Sequence, residues 1–287
     1  MCGDGVHCET VEISINWSSF KDWLYRTYNS KTAYDYFNYS RQYYWCLLNK
    51  DLSELFKLSN SKRRHVIKAL SSLSKFLGMH EDFLRLVKNY GLKWSVQNDD
   101  LIIARFSKTV DPNEVFDWIR KVKTVLPELS DFLDFMAVTG MRFLEALASY
   151  NLIIKLAREG RLSEYYDPEK EILEHYKFKE LFLRKTKKVF ISFVPRELVE
   201  KISLNEGLTF DSIFKKVQRH IGKMKFSDIR ELHGTLLTRY LNEAEINFIH
   251  GRISSSVFMR NYFNPIWITD LKERAMKGIE EIKSRLS

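Results

Sequence analysis

Along residues 15–92, apolar and polar positions recur with the period of an α-helix. Residues 17–28 and 33–48, "WSSFKDWLYRTY" and "AYDYFNYSRQYYWCLL", repeat aromatic residues at spacings of three and four, which places them on one helix face. Residues 59–79 begin with serines suited to a helix N-cap. Their apolar stripe is formed by Val66, Leu70, Leu73 and Leu77. The pattern predicts a small all-α module whose aromatic residues form its core.

Two further features complete this module. The segment "HEDFLRLVKNYG" ends on Gly91, a frequent helix stop. Opposite the apolar stripe of residues 59–79 lies a basic face. That face is formed by Lys62, Arg63, Arg64 and Lys68.

Residues 93–110 lack a helical period and are predicted to be a linker with an extended segment. A new helix then begins at Asp111, a capping residue followed by Pro112 in the first turn and by Glu114 three residues after the cap. We therefore predict two domains, 1–108 and 109–287.

The second half of the chain is helical with one interruption. The segments "ELFL" (180–183) and "VFISFV" (189–194) flank a basic turn, "RKTKK" (184–188). Their apolar and β-branched content predicts a β-hairpin, although the turn lacks an Asn-Gly type of signal. The expected fold is mainly α with a small β hairpin or sheet (α+β).

Composition narrows the class of protein. The 287 residues are 45% hydrophobic and 14% aromatic, which is enough for a sizeable core. The net charge of +9 favours a polyanionic partner, with nucleic acid ahead of a membrane surface, although charge alone is equally compatible with a merely basic protein. No apolar run approaches the roughly 18 residues of a membrane span. The N-terminus lacks a signal-peptide pattern, so a cytoplasmic location is expected.

The three cysteines do not indicate a disulfide framework, because their number is odd and their spacing unpaired. Cys2, His7 and Cys8 lie close together in sequence, but no second ligand cluster stands at a zinc-like spacing. We expect no metal and no cofactor.

Several residues able to handle a phosphate lie within three short segments. Arg142 and Glu145 are three apart in "AVTGMRFLEALAS" (137–149), so they share a helix face, although by themselves they would also suit an ordinary surface pair. Guanidinium groups bind phosphate oxygens through paired hydrogen bonds and keep their charge. A tyrosine surrounded by cations is a better nucleophile than one in water, because the positive charges favour the ionised form of its phenol. Arginines, a lysine and a tyrosine together suit phosphoryl transfer without a metal. The remaining members of this set are Arg230, His233, His250, Arg252, Tyr262 and, on the basic turn, Lys187.

Residues 112–265 resemble the catalytic domain of tyrosine recombinases, the family of phage-type integrases and Xer proteins. "TGMRFLEAL" resembles the first arginine box, "SDIRELHGTLL" the second, and "IHGRISSSVFMRNYF" the final box, which ends in the nucleophilic tyrosine. The Gly-Arg pair of the final box is similar to that of archaeal virus and plasmid integrases, where bacterial relatives have Gly-His. The helical N-terminal module is similar to the family's core-binding domain.

The resemblance implies site-specific DNA recombination through a 3′-phosphotyrosine intermediate. Tyr262 would be the nucleophile, Arg142 and Arg230 would clamp the scissile phosphate, and Arg252 would add a third donor. Glu145 is expected to support Arg142. His250, immediately before the Gly-Arg pair, is a further catalytic candidate.

The resemblance leaves two positions open. Lys187 best matches the family's hairpin lysine, which would protonate the leaving 5′-oxygen, but Lys185 and Lys188 remain possible. Ser227 stands where the family has histidine or lysine, and Lys225 or His233 could compensate. We also expect DNA contacts from these basic residues: Lys62, Arg63, Arg64, Lys68, Lys185, Lys188, Lys215, Lys216 and Arg219.

The implied partners are a double-stranded recombination site and further copies of this chain. The family forms a C-shaped clamp on DNA and acts as a tetramer on two duplexes. The tail after Tyr262 is predicted to restart as an amphipathic helix that docks on a neighbouring protomer, as in the family. Two alternatives stay open: strand religation as in type IB topoisomerases, and a DNA-binding protein of the same fold that has lost the reaction, an idea supported by Ser227.

Overall fold

The computed structural model describes residues 14–94, 111–184, 187–222, 225–253 and 257–286, apart from the side chains of Arg260 and Ile266. Its contacts divide the chain into two compact units, with the division after Thr109. Each unit has a hydrophobic core of its own. The predicted fold class, mainly α with a small antiparallel sheet, is confirmed.

The regular elements described in the first unit are all helical. A 3₁₀ turn, Ser53–Lys57, separates its two halves. Its helices are α1 (Trp17–Thr27), α2 (Ser30–Leu48), α3 (Asn60–Phe76) and α4 (His80–Asn89).

Side-chain caps explain where the first three helices begin. At the start of α1, the side chain of Asn16 accepts a hydrogen bond from the backbone N–H of Ser19. At the start of α2, the side chain of Asn29 accepts one from the N–H of Thr32. The predicted cap Ser59 accepts from the N–H of Lys62 at 3.4 Å. Past the end of α4, Gly91 has a φ of 63°, the left-handed conformation that makes glycine a helix stop.

The core of the first unit is the predicted aromatic and aliphatic face. Phe20 and Leu24 of α1 pack with Val66 and Leu70 of α3, and all four are fully buried. Each such side chain contributes about 1.5–3 kcal/mol on burial. The predicted core role of the aromatic residues is therefore confirmed for Phe20 and Tyr43, whereas Tyr25, Tyr34 and Tyr44 are exposed.

The second unit contains longer helices and connecting 3₁₀ turns. The predicted cap Asp111 accepts a hydrogen bond from the N–H of Asn113, and Pro112 is the first helical residue. The helices are α5 (Pro112–Val125), α6 (Ser130–Thr139), α7 (Phe143–Arg158), α8 (Lys179–Phe182), α9 (Arg196–Ser203), α10 (Phe210–His220), α11 (Phe226–Leu237), α12 (Glu243–Ile249), α13 (Val257–Asn261) and α14 (Leu271–Leu286).

The sheet is antiparallel, with order β1-β2-β3. Tyr166 pairs with Leu173, and Leu173 pairs with Ser192 on its other side. The strands are β1 (Tyr166–Asp167), β2 (Ile172–Leu173) and β3 (Ser192–Phe193).

The predicted hairpin is only partly correct. "ELFL" lies largely in the single helical turn α8 rather than in a strand, and β3 pairs with β2, which the sequence did not predict. The helical turn buries Phe182 against Tyr165 and His175 while Leu181 remains exposed. Among the described residues of the two arms, an isolated bridge joins Leu183 and Lys188.

The predicted C-terminal amphipathic helix is present as α14, but its apolar face is covered within its own chain. Ile279 and Ile282 are buried in the core of the second unit. Gly278 lies so close to α11 that a Cβ there would come within 2.5 Å of Leu237. In this single chain the face packs on its own core; docking of the tail on a neighbouring protomer stays a prediction. Of the helices described, none is long and apolar enough to cross a membrane.

Candidate active site

The first arginine segment is a tight corner between two helices. Helix α6 ends at Thr139, and Gly140 follows with a φ of 58°, which favours glycine over residues that carry a Cβ. Two residues later Arg142 adopts an extended conformation as the N-cap of α7. The corner therefore brings the Gly140 carbonyl and the Arg142 side chain to one place.

Glu145 is the acidic centre of this region. Its side chain is only 1% exposed, and Arg142 Nη1 contacts both carboxylate oxygens, at 3.0 and 3.1 Å. A second guanidinium reaches the same carboxylate, because Arg184 Nη2 lies 3.0 Å from Glu145 Oε1. A buried carboxylate requires such partners, so the expected support of Arg142 by Glu145 is present in the geometry. Sequence reasoning missed Arg184, although it is the first residue of the basic turn.

Arg230 projects from α11 between the first and last segments. Its Nη1 donates to the carbonyl of Gly140 and its Nη2 to the carbonyl of His250, both at 2.8 Å. Burial, followed by repulsion from Arg142 and Arg252, lowers the pKa of Arg230 to about 10, while Glu145 acts in the opposite direction. The group remains a cation at neutral pH. Since a guanidinium has five N–H donors, others stay available for an anion.

Three arginines therefore share one electrostatic environment. The positive charges of three residues, Arg142, Arg230 and Arg252, lower the pKa of His250, because they repel its protonated ring. Arg252 is exposed to solvent. Among the described residues, Glu145 is the carboxylate whose negative charge counteracts their repulsion and raises the pKa of Arg230. Several closely placed cations facing solvent make a binding site for a doubly or singly charged oxyanion.

The two histidines of the set lie beneath these arginines. His233 and His250 are 2% and 1% exposed, and His233 Nδ1 lies 2.9 Å from His250 Nε2. Burial lowers the pKa of His233 to about 3, and burial together with the charge of neighbouring groups lowers that of His250 as well. Both rings are therefore neutral and shielded from solvent. The catalytic role predicted for His250 would require its ring to reach the reacting atoms, which does not fit this burial.

The basic turn meets the final segment at a backbone contact. Gly251 has a φ of 64°, and a Cβ there would lie 1.7 Å from the Lys188 carbonyl oxygen. Lys188 is half-buried and Lys187 is exposed. Lys185 lies outside the described residues. The contact at Gly251 thus places the lysine-bearing turn beside the segment that carries Arg252.

Tyr262 follows the short helix α13 and is 73% exposed. Its backbone N–H donates to the Phe258 carbonyl at 2.9 Å. The next residue, Phe263, packs on Phe248 of α12, and Phe248 stacks on Phe190 beyond the basic turn, with ring centroids 5.7 and 6.2 Å apart. This run of aromatic rings connects the tyrosine segment to the turn. Sequence reasoning did not single out these phenylalanines, because isolated aromatic residues are indistinguishable from core.

The position three residues before Arg230 has no histidine or lysine. Ser227 is exposed and its hydroxyl lies 3.4 Å from Asp228 Oδ1. Lys225, one of the two residues expected to compensate, instead pairs with Glu114 of α5 at 2.9 Å. The other, His233, is buried as described. Of the residues considered, none stands exposed in the role that the family's histidine would have.

The residues expected to contact the DNA backbone differ in availability. Arg63 donates to the carbonyls of Leu55, Phe56 and Leu58, so its guanidinium fastens the 3₁₀ turn to α3. Lys216 is paired with Glu128 at 2.7 Å. These competing partners were not predictable from the residue pattern. The other described members are exposed or half-exposed: Lys62, Arg64, Lys68, Lys188, Lys215 and Arg219.

Among the described residues, no group of three or more histidine, cysteine, aspartate or glutamate side chains is arranged to hold a metal ion. Cys2, His7 and Cys8 lie outside those residues. Cys46 is buried in the first unit, where burial raises the pKa of its thiol to about 11.

The segment that contains this cluster has a known counterpart. Residues 135–276 match the archaeal phage integrase family. The match confirms the predicted resemblance and spans Arg142, Glu145, Arg230, Arg252 and Tyr262. Integrases act on DNA, so this integrase-type segment indicates a protein of DNA recombination or integration. No curated protein and no solved structure gives a significant match.

Proposed function

We propose that this chain is a tyrosine-type site-specific recombinase that cleaves and rejoins double-stranded DNA. The observation that supports it most is the convergence of Arg142, Arg230 and Arg252 in one site, followed in the chain by an exposed tyrosine. The integrase match over the same residues supplies the class of substrate. A fold without this cluster would support DNA binding alone.

In the proposed reaction, the Tyr262 hydroxyl oxygen attacks the scissile phosphorus. The new bond joins phosphorus to the phenolic oxygen, the bond to the 5′-oxygen breaks, and the phenolic proton is released. The products are a 3′-phosphotyrosine and a free 5′-hydroxyl. Attack by the 5′-hydroxyl of the partner strand then reverses these steps, so the phosphodiester energy is retained and no cofactor is consumed.

The arginines stabilise the pentacovalent transition state, in which negative charge grows on the non-bridging oxygens. Arg142 is fixed by Glu145, and Arg230 by two backbone carbonyls, so their donors are placed before DNA arrives. Preplaced donors of this kind each contribute roughly 10²–10³ in rate. Lys187, exposed on the basic turn, is the proposed acid that delivers a proton to the leaving 5′-oxygen.

The proposed partners are a double-stranded recombination site and three further copies of the chain. In this arrangement four protomers hold two duplexes, and the exposed basic residues of α3 and α10 contact backbone phosphates. Neutralised phosphates make such binding strongly dependent on salt.

A nicked DNA substrate tests the proposal. Cleavage beside the nick releases a short fragment that carries the 5′-hydroxyl, and once it is lost the covalent intermediate cannot be rejoined. The unmodified protein should form a protein–DNA adduct that survives denaturing electrophoresis, and Tyr262→Phe should form none while binding DNA with similar affinity. Tyr240→Phe is the matched control, since it removes a hydroxyl that bonds to Glu281 in the same unit. Binding without any adduct would indicate a DNA-binding protein that has lost the reaction. Religation of the same strand only would indicate topoisomerase chemistry.

A further inference from the structure

His233 and His250 form a hydrogen-bonded chain that crosses all three arginine-bearing segments. His233 Nε2 lies 3.0 Å from the Val138 carbonyl, which is two residues before the Gly140 corner. His233 Nδ1 lies 2.9 Å from His250 Nε2, and the backbone carbonyl of His250 accepts from Arg230. The hydrogen-bonded chain therefore begins at Val138, close to the Gly140 carbonyl that accepts from Arg230. It ends at His250, whose own carbonyl is the second acceptor for Arg230.

The partners determine where the hydrogens are. A carbonyl oxygen only accepts, so His233 Nε2 must carry a hydrogen. Because His233 is neutral, its Nδ1 is a bare acceptor, and His250 Nε2 must donate to it. His250 is also neutral, which leaves its Nδ1 as an unprotonated lone pair. Among the described residues this nitrogen is buried and has no hydrogen-bond partner.

Two glycines make room for the rings. A Cβ on Gly140 would come within 2.3 Å of His233 Nδ1, and a Cβ on Gly234 would come within 3.0 Å of His250 Cε1. The histidine pair and the glycines are therefore one packed arrangement. It accounts for a glycine in the second segment, where the backbone conformation itself does not require one.

We propose that the His233–His250 pair is a positioning device that holds Arg230 in the orientation needed for the scissile phosphate. The pair fixes the His250 carbonyl at one end and the Val138–Gly140 turn at the other, and these supply the two acceptors that orient the guanidinium of Arg230. Because neither ring is charged, the device adds no cation that would compete with the arginines for phosphate. This role rests on the proposed function and concerns residues that contact neither DNA nor the reacting atoms.

Three variants distinguish positioning from ordinary core packing. His250→Gln retains a side-chain N–H able to donate to His233 Nδ1, whereas His250→Leu fills a similar space without a donor. His233→Gln retains a donor for the Val138 carbonyl, but its amide oxygen is not at the position of Nδ1, the acceptor for His250. We expect His250→Leu and His233→Gln to lower the single-turnover cleavage rate at least tenfold at unchanged DNA affinity, and His250→Gln to recover most of that loss.

A double-mutant cycle with Arg230→Ala gives the decisive comparison. If the histidines act through Arg230, His250→Leu should change the residual cleavage rate less than twofold when Arg230 is already absent. Equal fold-losses in both backgrounds, or losses that follow the fall in melting temperature, would overturn the proposal. The measurement needs only adduct formation on nicked DNA.

Nitrogen-15 NMR of the full chain provides a readout that does not depend on catalysis. The predicted tautomers require a hydrogen on Nε2 of both rings and none on either Nδ1. The Arg230 Nη hydrogens should exchange slowly, and should exchange faster in His250→Leu but not in His250→Gln. The opposite tautomers, or unchanged exchange, would refute the positioning role even if the recombinase proposal holds. Absence of any adduct from the unmodified protein, with the predicted tautomers present, would instead count against the recombinase proposal alone.

Discussion

Acid should destabilise the second unit while its carboxylates are still ionised, because three of its histidines are buried and neutral. Besides His233 and His250, His175 is completely buried, between Tyr165 at 2.6 Å and Ser192 at 2.9 Å. Burial lowers the pKa of His175 and His233 to about 3 and also lowers that of His250. In the unfolded chain a histidine has a pKa of about 6.5.

The sign of the effect follows from proton counting. Below about pH 6.5 the unfolded chain binds up to three protons that the folded unit does not bind, so the free energy of unfolding falls as pH falls. The stability that the three neutral histidines contribute is fully present above the unfolded pKa of about 6.5. It is lost progressively as the pH falls from there toward the lower pKa values of the folded state. Between pH 7.5 and 5.5 each histidine costs about 1.4 kcal/mol, and the three together about 4 kcal/mol. That is a large share of the ~5–15 kcal/mol typical of a domain.

Hydrogen exchange of peptides from α6 and α11, corrected for the intrinsic pH dependence of exchange, measures this loss in the second unit. His250→Gln should reduce the loss by about 1.4 kcal/mol, since one proton fewer is taken up on unfolding. His220→Gln, at an exposed position on α10, provides the baseline for replacing an imidazole. A total loss below about 1.5 kcal/mol over this range would refute the reasoning, because at most one histidine would then be buried neutral.

Three further outcomes follow from the site. Arg142→Ala should slow cleavage by roughly two to three powers of ten with little loss of affinity, and Arg158→Ala, an exposed arginine on the same helix, should do neither; equal losses of rate and affinity would show that Arg142 only holds DNA. Lys187→Ala should cleave ordinary DNA slowly but DNA with sulfur at the bridging 5′-position almost normally, because a thiolate leaves without a proton; failure of this rescue would place the acid elsewhere. Gly140→Ala should lower the free energy of unfolding of the second unit, measured by chemical denaturation, by about 3 kcal/mol or more. The control Gly160→Ala, at a φ of 69° with open space around it, should lower it by only about 1–2 kcal/mol. Equal losses would mean that His233 moves aside freely.

Local features of this chain were predictable from sequence alone. The buried stripe of α3, the cap at Asp111 and the glycine stop after α4 all depend on neighbours a few residues away. The three arginine segments were predictable as well, because each is a local pattern. The resemblance that joined them was confirmed by the integrase match.

What the sequence did not reveal depends on distant partners. Arg184 and Arg142 share Glu145 only because the basic turn packs against α7. The helical turn in "ELFL" has no distinguishing period, since four residues fit either a strand or one turn of helix. The pairing of Lys225 with Glu114 joins residues from two helices far apart in the chain. Such pairings require the tertiary structure.

The close backbone contact at Gly251 has a genetic consequence. Every missense change of a glycine codon introduces a Cβ, and at this position that carbon would overlap the Lys188 carbonyl, which cannot move aside as a flexible side chain could. The residue is itself only partly buried, so a survey based on burial would rank it as tolerant. In a saturation library selected for recombination we expect no surviving substitution at codon 251. Compensating changes, where they arise, should lie in the basic turn rather than among the neighbours of Gly251 in sequence.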